Sequence, residues 1–282
     1  MKELIQGNAM RYESNGRAYI DLEQEHKPTY SVTTIIDRAW GVNQYLAEWQ
    51  AKFGHKKANE TIDDILRLGV DPSIFDDKYL YDLPVIEQKR YVDERARIGT
   101  MVHSILMYRA QGWVPSEKIA FTPEGHVDLK SKNYEECPEE VKYRVHAAIQ
   151  FWEDCDVEIL GTEVAMHSPN YLFSGTADLI CRIAGKVWEI DYKTGNGIYI
   201  NEHVQQNCYG LLANDQIIKI DRLGLLHIPK EGTWKKSSRK GWKNAKEYCL
   251  IEVEWNKRIV DALVEKFTFL NNNIRPKGKK ND

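Results

Sequence analysis

The stretch whose reading decides the fold is Gly175-Thr176-Ala177-Asp178-Leu179-Ile180-Cys181-Arg182-Ile183-Ala184-Gly185-Lys186-Val187-Trp188-Glu189-Ile190-Asp191-Tyr192-Lys193-Thr194-Gly195. The runs Leu172–Ile183 and Lys186–Lys193 read as strands, and Ala184-Gly185 between them reads as a tight turn. Side chains alternate faces along a strand, which sets Asp191 and Lys193 on one face. Asp178, on the preceding strand of the hairpin, becomes their near neighbour. Carboxylates brought together raise one another's pKa unless a cation joins them. A hard divalent cation with oxygen ligands, Mg²⁺ or Mn²⁺, answers that repulsion. A lysine beside the cation can hold an attacking water or a developing phosphate charge.

Working outward, Val157–His167 reads as a third strand, and it carries Glu163 as a further carboxylate. Pro138 opens a helix with Val141, Val145, Ala148 and Trp152 on one stripe. Ile200–Asn214 reads as a helix on which Gln205 and Tyr209, at i and i+4, share a face. Ile218–Ile228 and Tyr248–Trp255 read as strands, and Ile259, Leu263, Phe267 and Leu270 define a closing helix. The order from residue 138 is α-β-β-β-α-β-β-α, a mixed α/β layer. Upstream, Arg17–Leu22 and Ser31–Ile36 read as extended. Leu46, Trp49 and Phe53 form a helical stripe, and Ile62–Leu68 is a short second helix. Pro84 opens a longer helix reaching Arg109, with His103 on it after Gly99-Thr100-Met101-Val102. Residues 116–137 are polar and irregular.

Composition narrows the function. The 282 residues are 42% hydrophobic and 29% charged, which is globular rather than disordered. The net charge of −3 means that any affinity for nucleic acid has to come from local positive charge. Such a segment exists: Lys230, Lys235, Lys236, Arg239, Lys240, Lys243 and Lys246 stand against Glu231 alone, with Trp234 and Trp242 interleaved. Lysines neutralise phosphates and tryptophans stack on unpaired bases, so this loop joining two strands suits nucleic acid. No apolar run is long enough to span a membrane, and residues 1–16 lack the apolar core of a secretory signal. The five cysteines include no C-x-x-C pair, which argues against zinc, a disulfide framework or an iron–sulfur cluster. No helicase P-loop is present.

The ordered set His103, Glu163, Gly175-x-x-Asp178, Asp191-x-Lys193 and Gln205-x-x-x-Tyr209 resembles the PD-(D/E)XK nuclease superfamily, and within it the RecB-type nuclease domain. Ser31-Val32-Thr33-Thr34-Ile35, with Trp49 after it, is similar to the N-terminal signature of the mitochondrial genome maintenance exonuclease group and its phage and bacterial relatives. The resemblance implies an α/β (mixed α+β) fold with a restriction-endonuclease-like core (α-β-β-β-α-β). It further implies that residues 1–94 are a helical N-terminal extension capping the site, residues 95–272 the core with its basic loop at 230–246, and residues 273–282 a basic tail. His103, Asp178 and Asp191 would bind Mg²⁺ or Mn²⁺, with the backbone carbonyl of Tyr192 beside them. Asp191 is preferred over Glu189 as the ligand because it stands two before the lysine. Lys193 would position or activate water, and Glu163 would support the site. Gln205 and Tyr209 would orient the nucleic-acid backbone, with Trp234, Lys235, Lys236, Arg239, Lys240 and Trp242 as further contacts. The expected activity is a metal-dependent DNA exonuclease preferring single strands or ends, in the cytoplasm of a bacterial or phage-infected cell, without an iron–sulfur cluster. A separate helicase or single-strand-binding protein would be its partner. The alternatives are a structure-specific endonuclease on the same core and a non-catalytic nucleic-acid-binding scaffold.

Overall fold

The computed structural model describes residues 4–5, 10–13, 18–21, 29–40, 44–168, 170–171, 173–230 and 247–273. The described chain divides into two compact units, residues 1–40 with 99–282, and residues 41–98. The first unit holds the core. Its central elements are α4 (Glu139–Asp154), β6 (Glu158–His167), β7 (Phe173–Ile183), β8 (Lys186–Lys193), α5 (Ile200–Gln216), β9 (Arg222–His227), β10 (Cys249–Val253) and α6 (Lys257–Asn273). The α-β-β-β-α-β order is therefore present, extended by β10 and α6.

Antiparallel pairing of β6 with β7 and of β7 with β8 gives a meander. The turn between β7 and β8 puts Ala184 and Gly185 at φ 48° and 75°, the left-handed geometry that matches strand twist in two-residue hairpins. Helix α5 then carries the chain back so that β9 lies parallel to β8, with Lys193 opposite His227. β10 closes antiparallel on β9. The sheet is thus mixed, as a meander followed by a helical crossover must be.

The N-terminal segment joins this sheet. β1 (Met10–Glu13), β2 (Ala18–Asp21) and β3 (Thr29–Ser31) extend it, and β3 runs parallel to β7 with Ser31 opposite Ser174. Residues 29–40 accordingly belong to the core unit. Ser31–Ile36 does not stay extended. The strand stops at Ser31 and α1 (Val32–Trp40) begins. Ser31 Oγ accepts the Thr34 N–H at 3.1 Å, which is an N-cap bond. The buried positions Val32, Ile35, Ile36 and Ala39 have helical spacing, and that burial outweighs the β preference of branched side chains.

One face of the sheet is closed by α1, α5 and α6. Val32, Ile35, Phe173, Ala177, Ile180, Cys208, Leu212, Val260 and Phe267 are among the side chains buried in that layer. In the second unit, α2 (Gln44–Arg67) is a single helix covering both helical segments read upstream. α3 (Asp77–Ala110) starts before Pro84 rather than at it, because Asp76 Oδ1 accepts the Tyr79 N–H at 2.7 Å and fixes an earlier cap. A Cβ on Gly54 would come within 2.3 Å of the Pro84 carbonyl oxygen, so the two helices meet there at a bare backbone. The irregular 116–137 region holds only two short strands, β4 (Lys118–Ile119) and β5 (Glu135–Glu136). Residues 231–246 and 274–282 lie outside the described residues, and with them Trp234, Lys235, Lys236, Arg239, Lys240, Trp242 and the tail.

Phe173 is fully buried at the start of the strand shared by three neighbours. Phe173→Ala is expected to cost about 3–5 kcal/mol through lost burial and a residual cavity, read as a lower urea midpoint.

Candidate active site

The ladder between β7 and β8 runs from Ile183–Lys186 to Leu179–Ile190 and goes no further. One more rung in that register would set Asp178 opposite Asp191. β3 pairs with β7 only at Phe173 and Ser174. Among the described residues, 175–178 of β7 therefore have no ladder partner on that side, and the sheet opens at Gly175-Thr176-Ala177-Asp178. In the gap the Tyr192 N–H donates to Asp178 Oδ2 at 2.8 Å, in place of a main-chain rung.

His103 projects from α3 into the same opening. Its Nδ1 lies 3.3 Å from Asp178 Oδ1 and 4.0 Å from Glu163 Oε1. One ligand atom from each of these residues falls within 4.8 Å of the other two. Glu163 reaches the cluster through an unusual backbone. β6 shifts register between Ile159 and Gly161, and Glu163 has φ 48°. A non-glycine residue in the left-handed region costs about 1–3 kcal/mol, and such strain concentrates at functional sites.

Lys193 Nζ lies 2.8 Å from Asp191 Oδ2 and donates to Gln205 Oε1 at 2.9 Å. Gln205 Nε2 donates in turn to the Tyr209 hydroxyl at 2.8 Å. Asp191, Lys193, Gln205 and Tyr209 thus form one chain of contacts from β8 to α5. Gly175 completes it. A Cβ there would sit 2.4 Å from Tyr209 Cε1, so only a glycine lets the ring lie on the strand.

The charges explain the geometry. Burial opposes a proton charge on His103, but Asp178, Glu163 and Asp191 outweigh it and push the imidazole up to about 9. Burial also works against the Asp178 carboxylate, yet His103, the Tyr192 N–H and Lys193 hold it below the usual aspartate range. Glu163 is pushed up to about 7 by burial and by Asp178. Asp191 is raised by burial and by Asp178, against the pull of Lys193. Lys193 is raised despite burial, because Asp191 favours its charge, so it stays an ammonium ion.

Glu189, on the same face of β8, stands behind this cluster. It is 0% exposed. Gln206 Nε2 donates to its main-chain oxygen at 2.9 Å and to its carboxyl Oε2. Burial, then Asp191 and Asp178, raise Glu189 well above the ordinary range, which favours its protonated form. Arg144 on α4 is a further residue that the motifs do not include. It is 3% exposed and pairs with Glu140 at 2.6 Å. Its Nη1 donates to Thr194 O and, at 2.8 Å, to Ile228 O. His227 Nε2 lies 2.8 Å from Gly195 O. Two cation-capable side chains therefore fasten the main chain just past Lys193. The sequence does carry a signal for Arg144: it falls within the buried stripe Val141, Val145, Ala148, where an arginine needs dedicated partners.

No protein-family model and no curated protein matches this sequence. Among solved structures, an alkaline exonuclease, LHK-Exo from Laribacter hongkongensis, gives a TM-score of 0.34 at 7% identity over 63% of this chain and 84% of that one. The structure of SSO0001 gives a TM-score of 0.29 at 19% identity over 47% of this chain and 59% of that one. No helix among the described residues is long and apolar enough to cross a membrane.

Gly175→Ala forces the Tyr209 ring off the strand, so it is expected to cost about 1–3 kcal/mol by overpacking and to break the Gln205–Tyr209 bond. Chemical denaturation reads the first effect and a crystal structure of the variant reads the second. His103 binds its proton more tightly folded (about 9) than unfolded (6.5). Its stabilisation is therefore complete below about pH 6.5 and is lost as pH rises through about 9. In EDTA, the melting-temperature advantage of wild type over His103→Gln is expected to shrink across that window.

Proposed function

We propose that this protein is a divalent-cation-dependent nuclease of the PD-(D/E)XK kind, that DNA is its substrate, and that it digests single strands from their ends. The observation that carries the reading is the convergence of His103, Glu163, Asp178 and Asp191 with Lys193 where β7 and β8 part. A scaffold that only bound strands would have no use for carboxylates held in mutual repulsion.

The donors fit a hard cation. Asp178 and Glu163 offer carboxylate oxygens and His103 a ring nitrogen, close enough to meet on one ion. Asp191 stands alongside as the next ligand, with the Tyr192 carbonyl in the role the resemblance gives it. When bound, the cation would polarise a phosphoryl oxygen and stabilise the leaving oxygen. Ligation through the His103 ring would displace its proton, so affinity for the cation would rise with pH.

The remaining work falls to the chain's own side chains. Asp191 favours the charged form of Lys193, and its ammonium orients the attacking water and faces the charge that develops on the phosphoryl oxygens. Asp191 and Gln205 fix the direction of that ammonium by holding Nζ from two sides. The Tyr209 hydroxyl and the Gln205 amide present hydrogen-bonding groups to the phosphodiester backbone. Glu163 supports the cation side of the cluster. The preference for single-stranded ends rests on the likeness of Ser31–Ile35 and Trp49 to the exonuclease group. The basic, tryptophan-bearing composition of residues 230–246 adds to it.

The test is digestion of end-labelled single-stranded, linear duplex and circular single-stranded DNA with Mg²⁺, Mn²⁺ or EDTA. Wild type is expected to shorten linear single strands, spare circles and stop in EDTA. Lys193→Ala is expected to lose at least about a hundredfold in kcat, in the range for removing a positioned charge donor, while still binding Mn²⁺. Cut circles would transfer the reading to an endonuclease. A wild type inert with both metals would overturn the enzyme reading.

A further inference from the structure

Between Lys193 and the body of α5 the chain reads Thr194-Gly195-Asn196-Gly197-Ile198-Tyr199-Ile200. The fold does not account for its two glycines. Neither has a positive φ. A Cβ on Gly195 would meet only the Gly197 carbonyl oxygen, at 3.8 Å, and one on Gly197 only the Tyr199 ring, at 3.7 Å and beyond. Alanine would fit at both positions, so packing requires neither glycine; the main chain is open at Gly195, and the Tyr199 side chain borders Gly197.

The next two residues break local rules in the same place. Tyr199 and Ile200 are 60% and 62% exposed. Tyr199 occupies the N-cap of α5, where short polar side chains are preferred and an aromatic ring has no capping advantage. Glu202 accepts the Tyr199 N–H, and its carboxyl lies near enough to Lys193 and Asp191 to feel both charges. The exposed ring therefore stands at the border of the candidate active site. It heads the helix that carries Gln205 and Tyr209. Departures from local preference without a packing gain mark functional positions.

We propose that Gly195–Ile200 is a nucleobase-stacking subsite, in which the sugar–phosphate backbone of a single strand crosses Gly195 and Gly197 and one unpaired base lies on the Tyr199 ring. This rests on the nuclease reading and adds to it the ligand contact next to the scissile phosphate. An aromatic face accepts any base, so the subsite confers grip without sequence preference. It also requires an unpaired base, which selects single strands or frayed ends.

The test is binding, so that it reads independently of cleavage. Fluorescence anisotropy with labelled single-stranded DNA and Ca²⁺ compares Lys193→Ala with Lys193→Ala/Tyr199→Ala. A set of otherwise identical oligonucleotides carries one abasic residue at each position in turn. The double variant is expected to bind about tenfold more weakly or worse, the scale of one stacked base. One abasic position is expected to weaken Lys193→Ala by that same factor and to have no effect on the double variant. Tyr199→Phe in the Lys193→Ala background should restore the affinity, and Phe269→Ala, an exposed ring on α6, should leave it unchanged. Equal affinity with and without Tyr199, an abasic penalty that persists in the double variant, or no binding by either protein would each overturn the subsite. If the abasic pattern appears but wild type cleaves nothing, the stacking subsite stands and the nuclease reading falls.

Discussion

The hydrogen bond from the Tyr192 N–H to Asp178 is the constraint on which the site depends. A sheet that stayed paired would spend that donor on β7 and close over the carboxylates. Here the β7–β8 ladder ends at Leu179–Ile190, and an unpaired buried N–H would cost about 1–3 kcal/mol. The Asp178 side chain takes the place of the missing rung. The strands can then diverge without an orphaned donor, and the carboxylate is locked at the angle from which His103 reaches it. Glu163 approaches from the opposite neighbour through a strained left-handed residue. Asp191 approaches along β8. Three strands thus deliver three carboxylates to one opening, and each is tied to its strand by a different local device.

The exit of β8 is held as firmly as its entrance. Arg144 bonds the carbonyls of Thr194 and Ile228, which joins the end of β8 to the end of β9. His227 adds a bond to Gly195, while burial and then Arg144 lower its pKa so that it acts as a neutral donor. A buried arginine bonded only to carbonyls would be an uncompensated charge. Glu140 supplies the balance one turn away on the same helix. On the other side, Gln206 bonds both the main chain and the side chain of Glu189, which presses α5 onto β8. Gln205, the adjacent residue, is thereby brought to Lys193. The neighbouring pair divides the labour between anchoring the helix and facing the site.

Much of this was legible in the sequence, and the limits have physical causes. α4, β6, β7 and β8 lie within a few residues of their expected bounds because an opening proline, strand alternation and a left-handed turn dipeptide agree there. Asp191 and Lys193 share a face because strand alternation permits nothing else. Ser31–Ile36 misled because branched residues favour strands, whereas the cap bond and the 32, 35, 36, 39 spacing pointed to a helix. Pro84 misled because proline is compatible with a helix start, yet Asp76 caps α3 earlier. The parallel pairing of β3 with β7 was beyond reach, since a strand of three residues carries no register signal of its own. The buried stripe flags Arg144 as needing partners, but which carbonyls Arg144 and Gln206 reach depends on what the fold brings together.

The electrostatics also explain why so much negative charge can be buried in one place. Burial and its acidic neighbours push Glu189 toward its protonated form, its carboxyl held by Gln206, and Glu163 gives up part of its charge by taking a proton near neutral pH. Charge is thereby concentrated on Asp178, whose pKa is the one that falls. In the bare chain the proton on His103 neutralises it, at the 3.3 Å separation of an ion pair. A divalent cation carries twice that charge and can contact all three donors at once, which one imidazolium cannot do. On the proposed reading the cluster tolerates a proton and is better satisfied by a cation. Lys193 contacts Asp191 Oδ2 and His103 contacts Asp178 Oδ1, so the two positive groups do not share an oxygen atom. Two positive groups thus stand along one row of carboxylates, His103 beside Asp178 and Lys193 beside Asp191.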